Sequence, residues 1–230
     1  MKEEHQDKSK LIEEVLAPLR NVLTKYVVTF APDLPDASKE SLQSRLNLLL
    51  ACTSTIFEFR AVYYDLTLTL EMAKQYPRGE SKVITRSKHL EFVWFQSVDI
   101  CYLFKEKYKR FGNLYNRVMK TFKRSAIIDV SDGLKKIDRH LQKYIRTRGQ
   151  NVHEGSAESK HITTLSSIEL IYRIGHVSDD MPTPDVVYTV ARDSLIVDIN
   201  EALNFIQQFT LDTFVAVSYT HLTLPTIYSV

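Results

Sequence analysis

The sequence predicts an all-α fold in which long helices pack as an antiparallel bundle within a single domain. Glycine and proline are scarce, at 6 and 7 in 230 residues, whereas a chain of many short strands needs them at its turns. Apolar residues recur at helical spacing over long segments, which favours helices. A chain of this length can bury one substantial core. No repeat of the kind that builds a solenoid is visible.

The first two predicted helices precede residue 76. Residues 2–29 carry an apolar stripe at helical spacing, and the segment APDLPD ends it. The second helix is predicted over about 38–75, with Ser38 as its candidate N-cap. The stripe of the first helix consists of Leu11, Val15, Leu19, Val22, Leu23 and Tyr26.

The third helix is predicted over about 86–122, where apolar residues recur every three, four or seven positions. Trp94 is predicted to anchor the core rather than to bind a ligand. Gly112 and Asn113 mark a candidate kink or an early end of this helix. The predicted buried row is Leu90, Trp94, Val98, Cys101, Phe104, Tyr108 and Tyr115.

Three shorter or later helices complete the prediction. A fourth helix is capped by Ser131 and extends over 132–149, and a fifth covers about 162–174. The last helix opens at Pro184 and extends to about Phe214. These helices place the single domain in residues 1–216.

The last fourteen residues, VSYTHLTLPTIYSV, differ from the rest of the chain. From Thr213 to Val230 there is no Asp, Glu, Lys or Arg. The segment resembles translated adapter sequence. We therefore predict that residues 217–230 are a non-native tail, and we assign no function to them.

Charge is unevenly distributed along the chain. The formal net charge is only +2, but residues 105–148 hold 14 Lys and Arg against 4 Asp and Glu. Such a local excess favours a polyanionic partner. The N-terminus lacks the apolar core of a secretion signal and no apolar run is long enough to span a bilayer. We therefore predict a cytoplasmic protein that does not enter membranes.

A candidate site lies at the end of the fourth predicted helix, in the segment YIRTRGQNVHEG. Arg148 falls on a helical stripe of apolar residues, where a guanidinium requires an anionic partner or a water-filled cleft. The apolar members of the stripe are Leu134, Ile137, Leu141, Ile145 and Val152. His153 follows Arg148 by five residues and Arg146 by seven. On an ideal helix His153 is nearly eclipsed with Arg146 but about 140° from Arg148. The stripe favours Arg148 and the rotation favours Arg146, so both remain candidates.

At RGQNVHE the sequence resembles the HEPN superfamily, helical bundles whose catalytic members end a helix with Arg, four to six residues, and His. Val152 and Glu154 flank His153 as in the common family pattern. Gly149 stands where the family usually has Asn, Asp or His, and Asn151 follows two residues later. Asn151 and Glu154 are therefore candidate supporting residues.

The resemblance implies RNA cleavage that needs no metal and no cofactor. His153 would transfer the proton of the ribose 2′-hydroxyl, and Arg148 would hold the phosphate. It also implies a homodimer, and a role in toxin–antitoxin systems or defence with an antitoxin-type protein partner. One alternative is a HEPN-like module without catalysis that binds RNA or a protein. Another is a helical domain in which the Arg and His spacing is coincidental. No P-loop, dinucleotide-binding, HExxH or GxSxG motif indicates another enzyme class.

Overall fold

The structure is a computed structural model that describes residues 36–75, 85–121, 128–154 and 159–222. These ranges contain six α-helices and no strand. The helix predicted over 2–29 lies outside the described residues. The helices are α1 (Asp36–Lys74), α2 (Arg86–Thr121), α3 (Val130–His140), α4 (Gln142–Glu154), α5 (Lys160–Ile174) and α6 (Pro184–Leu222). The predicted all-α class is confirmed.

Helix boundaries follow local chemistry. Asp129 caps α3, because its Oδ1 accepts a hydrogen bond from the backbone N–H of Asp132 at 3.0 Å. The cap is thus Asp129 rather than Ser131, which lies inside the helix. Gly175 ends α5 in the left-handed region with φ 78°, and its N–H returns to the last turn. Pro184 opens α6 as predicted.

The predicted end of α6 at Phe214 is wrong. The helix continues to Leu222, because no glycine or proline interrupts the chain before Pro225. A proline disfavours helical geometry in the residue before it and removes a backbone donor, which is consistent with an end three residues earlier.

The chain divides into two compact units. The first unit takes residues 1–61, 106–135 and 206–230, and the second takes 62–105 and 136–205. The chain crosses between the two units four times. Each crossing lies inside a helix, namely α1, α2, α3 or α6. The single domain predicted over 1–216 stays a prediction.

Aromatic packing forms the core of the first unit. Phe59, Phe111 and Phe214 make a triangle with ring centroids 5.5–5.8 Å apart. Tyr108 packs edge-on against Phe209 at 4.9 Å. Contact partners therefore advance in the same direction along α2 and α6, so antiparallel packing does not hold for this pair. Because α3, α4 and α5 lie between α2 and α6 in sequence, the connection does not require α2 and α6 to be antiparallel.

In the second unit, α2 packs against α4. Trp94 is 2% exposed and stacks at 5.3 Å on Tyr144 of α4. Its prediction as a core anchor is confirmed, as is burial of all seven residues of the predicted α2 row. Cys101 is a free, buried thiol whose pKa is raised by burial. In this unit His140 contacts Phe205 and Lys143 contacts Asp198, so contacts between α3–α4 and α6 run in antiparallel order.

Candidate functional site

The candidate site is carried by α3 and α4, which the sequence predicted as one helix. The structure bends this segment at Leu141, between His140 and Gln142. Helical hydrogen bonds nevertheless continue across the bend, from Leu141 N to Ile137 O at 2.8 Å and from Ile145 N to Leu141 O at 3.0 Å. The two helices therefore keep a common rotational register through the bend.

The buried row of this segment differs from the predicted one. Ile137, Leu141, Tyr144 and Thr147 are 0–8% exposed, whereas Ile145 is only partly buried. Thr147 tolerates burial because its hydroxyl donates to the carbonyl oxygen of Lys143 at 2.8 Å. The predicted stripe had passed through Ile145 and Arg148 instead. Arg148 consequently lies at the margin of the core.

Arg148 has an anionic partner within the chain. Its Nε donates to Oδ1 of Asp99 at 3.0 Å, and its guanidinium carbon lies 3.9 Å from the ring centroid of Tyr102. The side chain of Arg148 is 37% exposed and that of Asp99 is 65% exposed. Because both partners belong to α2, Arg148 links the middle of α4 to α2.

The sequence predicted either an anionic partner or a water-filled cleft at Arg148 and did not identify Asp99 as the partner. Asp99 and Tyr102 lie 49 and 46 positions earlier in the chain. No local pattern connects residues at that separation. Only the packing of α4 against α2 brings them together.

Arg146 is exposed, and its described contact is with the helix that carries it. With the Gln142 amide oriented to satisfy its hydrogen bonding, its oxygen accepts from Arg146 Nε at 3.2 Å. No carboxylate pairs with Arg146 among the described residues. Its positive charge therefore remains available to a ligand.

His153, Asn151 and Glu154 belong to α4 by their backbone, and their side chains lie outside the described part of the structure. The helix runs through Gly149 to Glu154 without an interruption. A helix ending near Gly149 would have been one way to bring positions 148 and 153 together. With the helix continuous, position 153 falls about 20° from position 146 and about 140° from position 148.

Carboxylates from outside the basic segment offset part of its charge. Glu58 pairs with Lys107 at 2.6 Å in the first unit. In the second unit Asp198 pairs with Lys143, and Asp99 pairs with Arg148. The net excess of positive charge in the sequence therefore overstates the charge that this segment presents.

Along α3 and α4, Arg139 and Arg146 are exposed and have no carboxylate partner among the described residues. Arg139 and Arg146 are seven positions apart, and Gln142 lies between them. Seven residues make almost two whole helical turns, so the pair forms one row along α3 and α4. Position 153 continues this row at the same interval. The spacing was readable from the sequence, but the exposure and the lack of carboxylates were not.

The described residues offer no metal site and no membrane span. They contain no cluster of three or more His, Cys, Asp or Glu side chains that could hold a metal ion. None of the described helices combines the length and apolar character needed to cross a bilayer.

We compared the chain with protein-family models, curated proteins and solved structures. No protein-family model, curated protein or solved structure matches the chain.

Proposed function

We propose that this chain is a HEPN-like protein that binds single-stranded RNA along α3 and α4. One observation carries the proposal: Arg139 and Arg146 form an exposed row of cations that no described carboxylate neutralises. The phosphodiester backbone is a linear polyanion, and contacts to it release condensed counterions. Guanidinium groups suit phosphate oxygens because they can donate two parallel hydrogen bonds.

The proposal includes metal-independent cleavage of the bound RNA. His153 is the proton-transfer residue, and a cation near it holds the scissile phosphate and offsets charge in the transition state. The continuous helix favours Arg146 for this role, because positions 146 and 153 share a face. Arg148 remains the second candidate, with Asn151 and Glu154 as supporting residues.

A non-catalytic HEPN-like module is the second candidate function. The contacts of Arg148 favour it, since a guanidinium held by Asp99 and Tyr102 acts as a link between helices. In this alternative the row of Arg139 and Arg146 binds RNA or an acidic protein without cleaving anything. A homodimer, an antitoxin-type partner, a role in defence and a cytoplasmic location belong to the proposal through the family resemblance alone.

The binding test compares salt dependence between variants. Affinity for a single-stranded RNA should fall steeply with salt, with a log–log slope of about −0.7 per phosphate contact. Replacing both Arg139 and Arg146 with alanine should make the slope shallower by about 1.4. Arg173→Ala removes an exposed cation of α5 and serves as the control. A flat salt dependence of the unaltered protein would exclude the RNA-binding proposal.

The cleavage test uses the same RNA in the presence of EDTA. His153→Ala should lower the rate by about 10²–10⁴-fold, because one proton-transfer residue contributes that much. Affinity should hardly change, since binding is distributed over several cations. If the unaltered protein binds RNA but leaves it intact, the non-catalytic module is the correct interpretation.

A further inference from the structure

His140 has a fixed orientation at the end of α3. Its ring stacks on that of Phe205, with centroids 4.4 Å apart and planes 9° from parallel. Its Nδ1 lies 2.9 Å from the carbonyl oxygen of Lys136, one turn earlier in the helix. The side chain is nonetheless exposed to solvent. Two independent contacts thus position an imidazole on the surface.

The hydrogen bond determines the tautomer of neutral His140. A carbonyl oxygen can only accept, so Nδ1 must carry the hydrogen and donate it to Lys136 O. In a neutral imidazole the other nitrogen then has a lone pair and accepts hydrogen bonds. No described residue donates to Nε2 of His140. The ring therefore offers one oriented acceptor.

Cationic residues flank His140 along its own helical segment. Arg139 precedes it and has no described carboxylate partner, and Lys143 lies one turn later, paired with Asp198. His140 follows Arg139 directly and lies about 100° around the helix from it, so it flanks the row of Arg139 and Arg146, and a polyanion held by these arginines would pass beside it. An acceptor is unusual in such a place, because a phosphate oxygen cannot donate to it. Within the sugar–phosphate backbone of RNA, the group that can donate is the ribose 2′-hydroxyl.

We propose that Nε2 of His140 accepts a hydrogen bond from a ribose 2′-hydroxyl and makes the basic row of α3 and α4 select RNA over DNA. The proposal rests on the proposed RNA-binding function and adds the residue that determines specificity. DNA lacks the 2′-hydroxyl, so it keeps the phosphate contacts but loses this one. One neutral hydrogen bond corresponds to a preference of about 2- to 10-fold.

His140 is about 20 Å along the helix from position 153, at 1.5 Å per residue. The two histidines therefore cannot act on the same ribose. This separation allows His140 to be tested without disturbing the proposed cleavage residues. It also means that RNA should be compared with DNA in a His153→Ala background, where the proposed cleavage is absent.

A structural role is the competing explanation, since a histidine in the last turn of a helix can satisfy a terminal carbonyl. His140→Asn separates the two roles. The asparagine amide can still donate to Lys136 O in place of Nδ1, but it has no group in place of Nε2. His176→Asn is the matched control, because His176 is an exposed histidine after α5.

The experiment measures binding of a mixed-sequence single-stranded RNA and of its 2′-deoxy counterpart with the same bases. We expect His140→Asn to weaken RNA binding by about 2- to 10-fold, to leave DNA binding unchanged and so to remove the preference. His176→Asn should change neither affinity. Equal weakening of both affinities would assign His140 a structural role, and an unchanged preference would overturn the inference, with RNA binding itself intact. Absence of all nucleic-acid binding would instead overturn the proposed function and this inference with it.

Discussion

The guanidinium of Arg148 and the carboxylate of Asp99 form an ion pair between α4 and α2, with Nε and Oδ1 3.0 Å apart. Tyr102 lies under the same guanidinium at 3.9 Å. These contacts engage one edge and one face of the group. A phosphate bound at Arg148 would have to share the guanidinium with the carboxylate of Asp99. No described carboxylate pairs with Arg146, whose described partner is the neutral amide of Gln142.

The two arginines should therefore differ in RNA binding. Arg146→Ala should make the salt slope of RNA affinity shallower by about 0.7, the contribution of one contact to a single strand. Arg148→Ala should change the slope less, because Asp99 already offsets its charge. Binding isotherms at several salt concentrations measure both slopes. A larger effect at Arg148 would show that RNA displaces Asp99 and that Arg148 is the phosphate ligand.

The role of Arg148 in stability gives a second prediction. Arg148→Ala should lower the free energy of unfolding by about 1 kcal/mol, since a partly exposed ion pair and a cation–π contact each contribute up to about 1 kcal/mol. Urea denaturation of Arg148→Ala, Asp99→Ala and the double variant measures their coupling. We expect a coupling energy of about 0.3–1 kcal/mol. Strict additivity would show that the pair does not stabilise the fold.

Local sequence signals predicted most helix limits in the described ranges. They failed to predict which face of α3 and α4 is buried, because that depends on contacts with residues distant in sequence. The α2 limits differ from prediction by one residue, and Pro184 and Gly175 mark the start of α6 and the end of α5. The bend at Leu141 has no glycine or proline beside it. The buried row then passes through Thr147, whose hydroxyl bonds within the helix. An apolar stripe read from the sequence could not anticipate that, and Arg148 was placed too far inward.

Tyr144 gives a prediction about an unpaired polar atom in the core. It is 4% exposed, and its hydroxyl and the indole N–H of Trp94 have no hydrogen-bond partner among the described residues. Burial is the largest cause of the raised pKa of Tyr144. Tyr144→Phe keeps the ring and removes the unpaired hydroxyl, so the free energy of unfolding should stay constant or rise by about 1 kcal/mol.

Tyr144→Ala is the contrasting variant, because it also removes the ring that stacks on Trp94. It should lower the free energy of unfolding by about 3–5 kcal/mol, the usual cost of removing a buried aromatic side chain. Urea denaturation of both variants gives the comparison. A loss above about 1 kcal/mol in Tyr144→Phe would reveal a hydrogen-bond partner for the hydroxyl.

Two helical glycines should respond oppositely to alanine. A Cβ on Gly133 would lie 1.9 Å from the hydroxyl oxygen of Tyr108, a buried side chain. Gly133→Ala should therefore lower the free energy of unfolding by about 1–3 kcal/mol through overpacking. A Cβ on Gly149 would meet no atom within 4 Å, so Gly149→Ala should raise it by about 0.5–1 kcal/mol. Thermal or urea denaturation measures the stability of both variants. If Gly149→Ala is also destabilised, the prediction that a Cβ at this position is accommodated without a clash is wrong.

Buried His89 gives a prediction about pH. It is 8% exposed, and burial lowers its pKa below the ordinary value of 6.5, against a smaller opposing effect of the Met72 backbone. Above pH 6.5 both the folded and the unfolded protein hold this imidazole neutral, so it contributes no pH dependence. As the pH falls below that value, the unfolded chain takes up a proton that the folded protein does not. The free energy of unfolding should then decrease by up to about 1.4 kcal/mol per pH unit until the folded pKa is reached.

Urea denaturation at about pH 7.5 and about pH 5.5, on either side of the ordinary histidine pKa, measures this contribution in comparison with His89→Leu. The variant should lose less stability over the interval, and an equal loss in both proteins would assign the pH dependence to other groups.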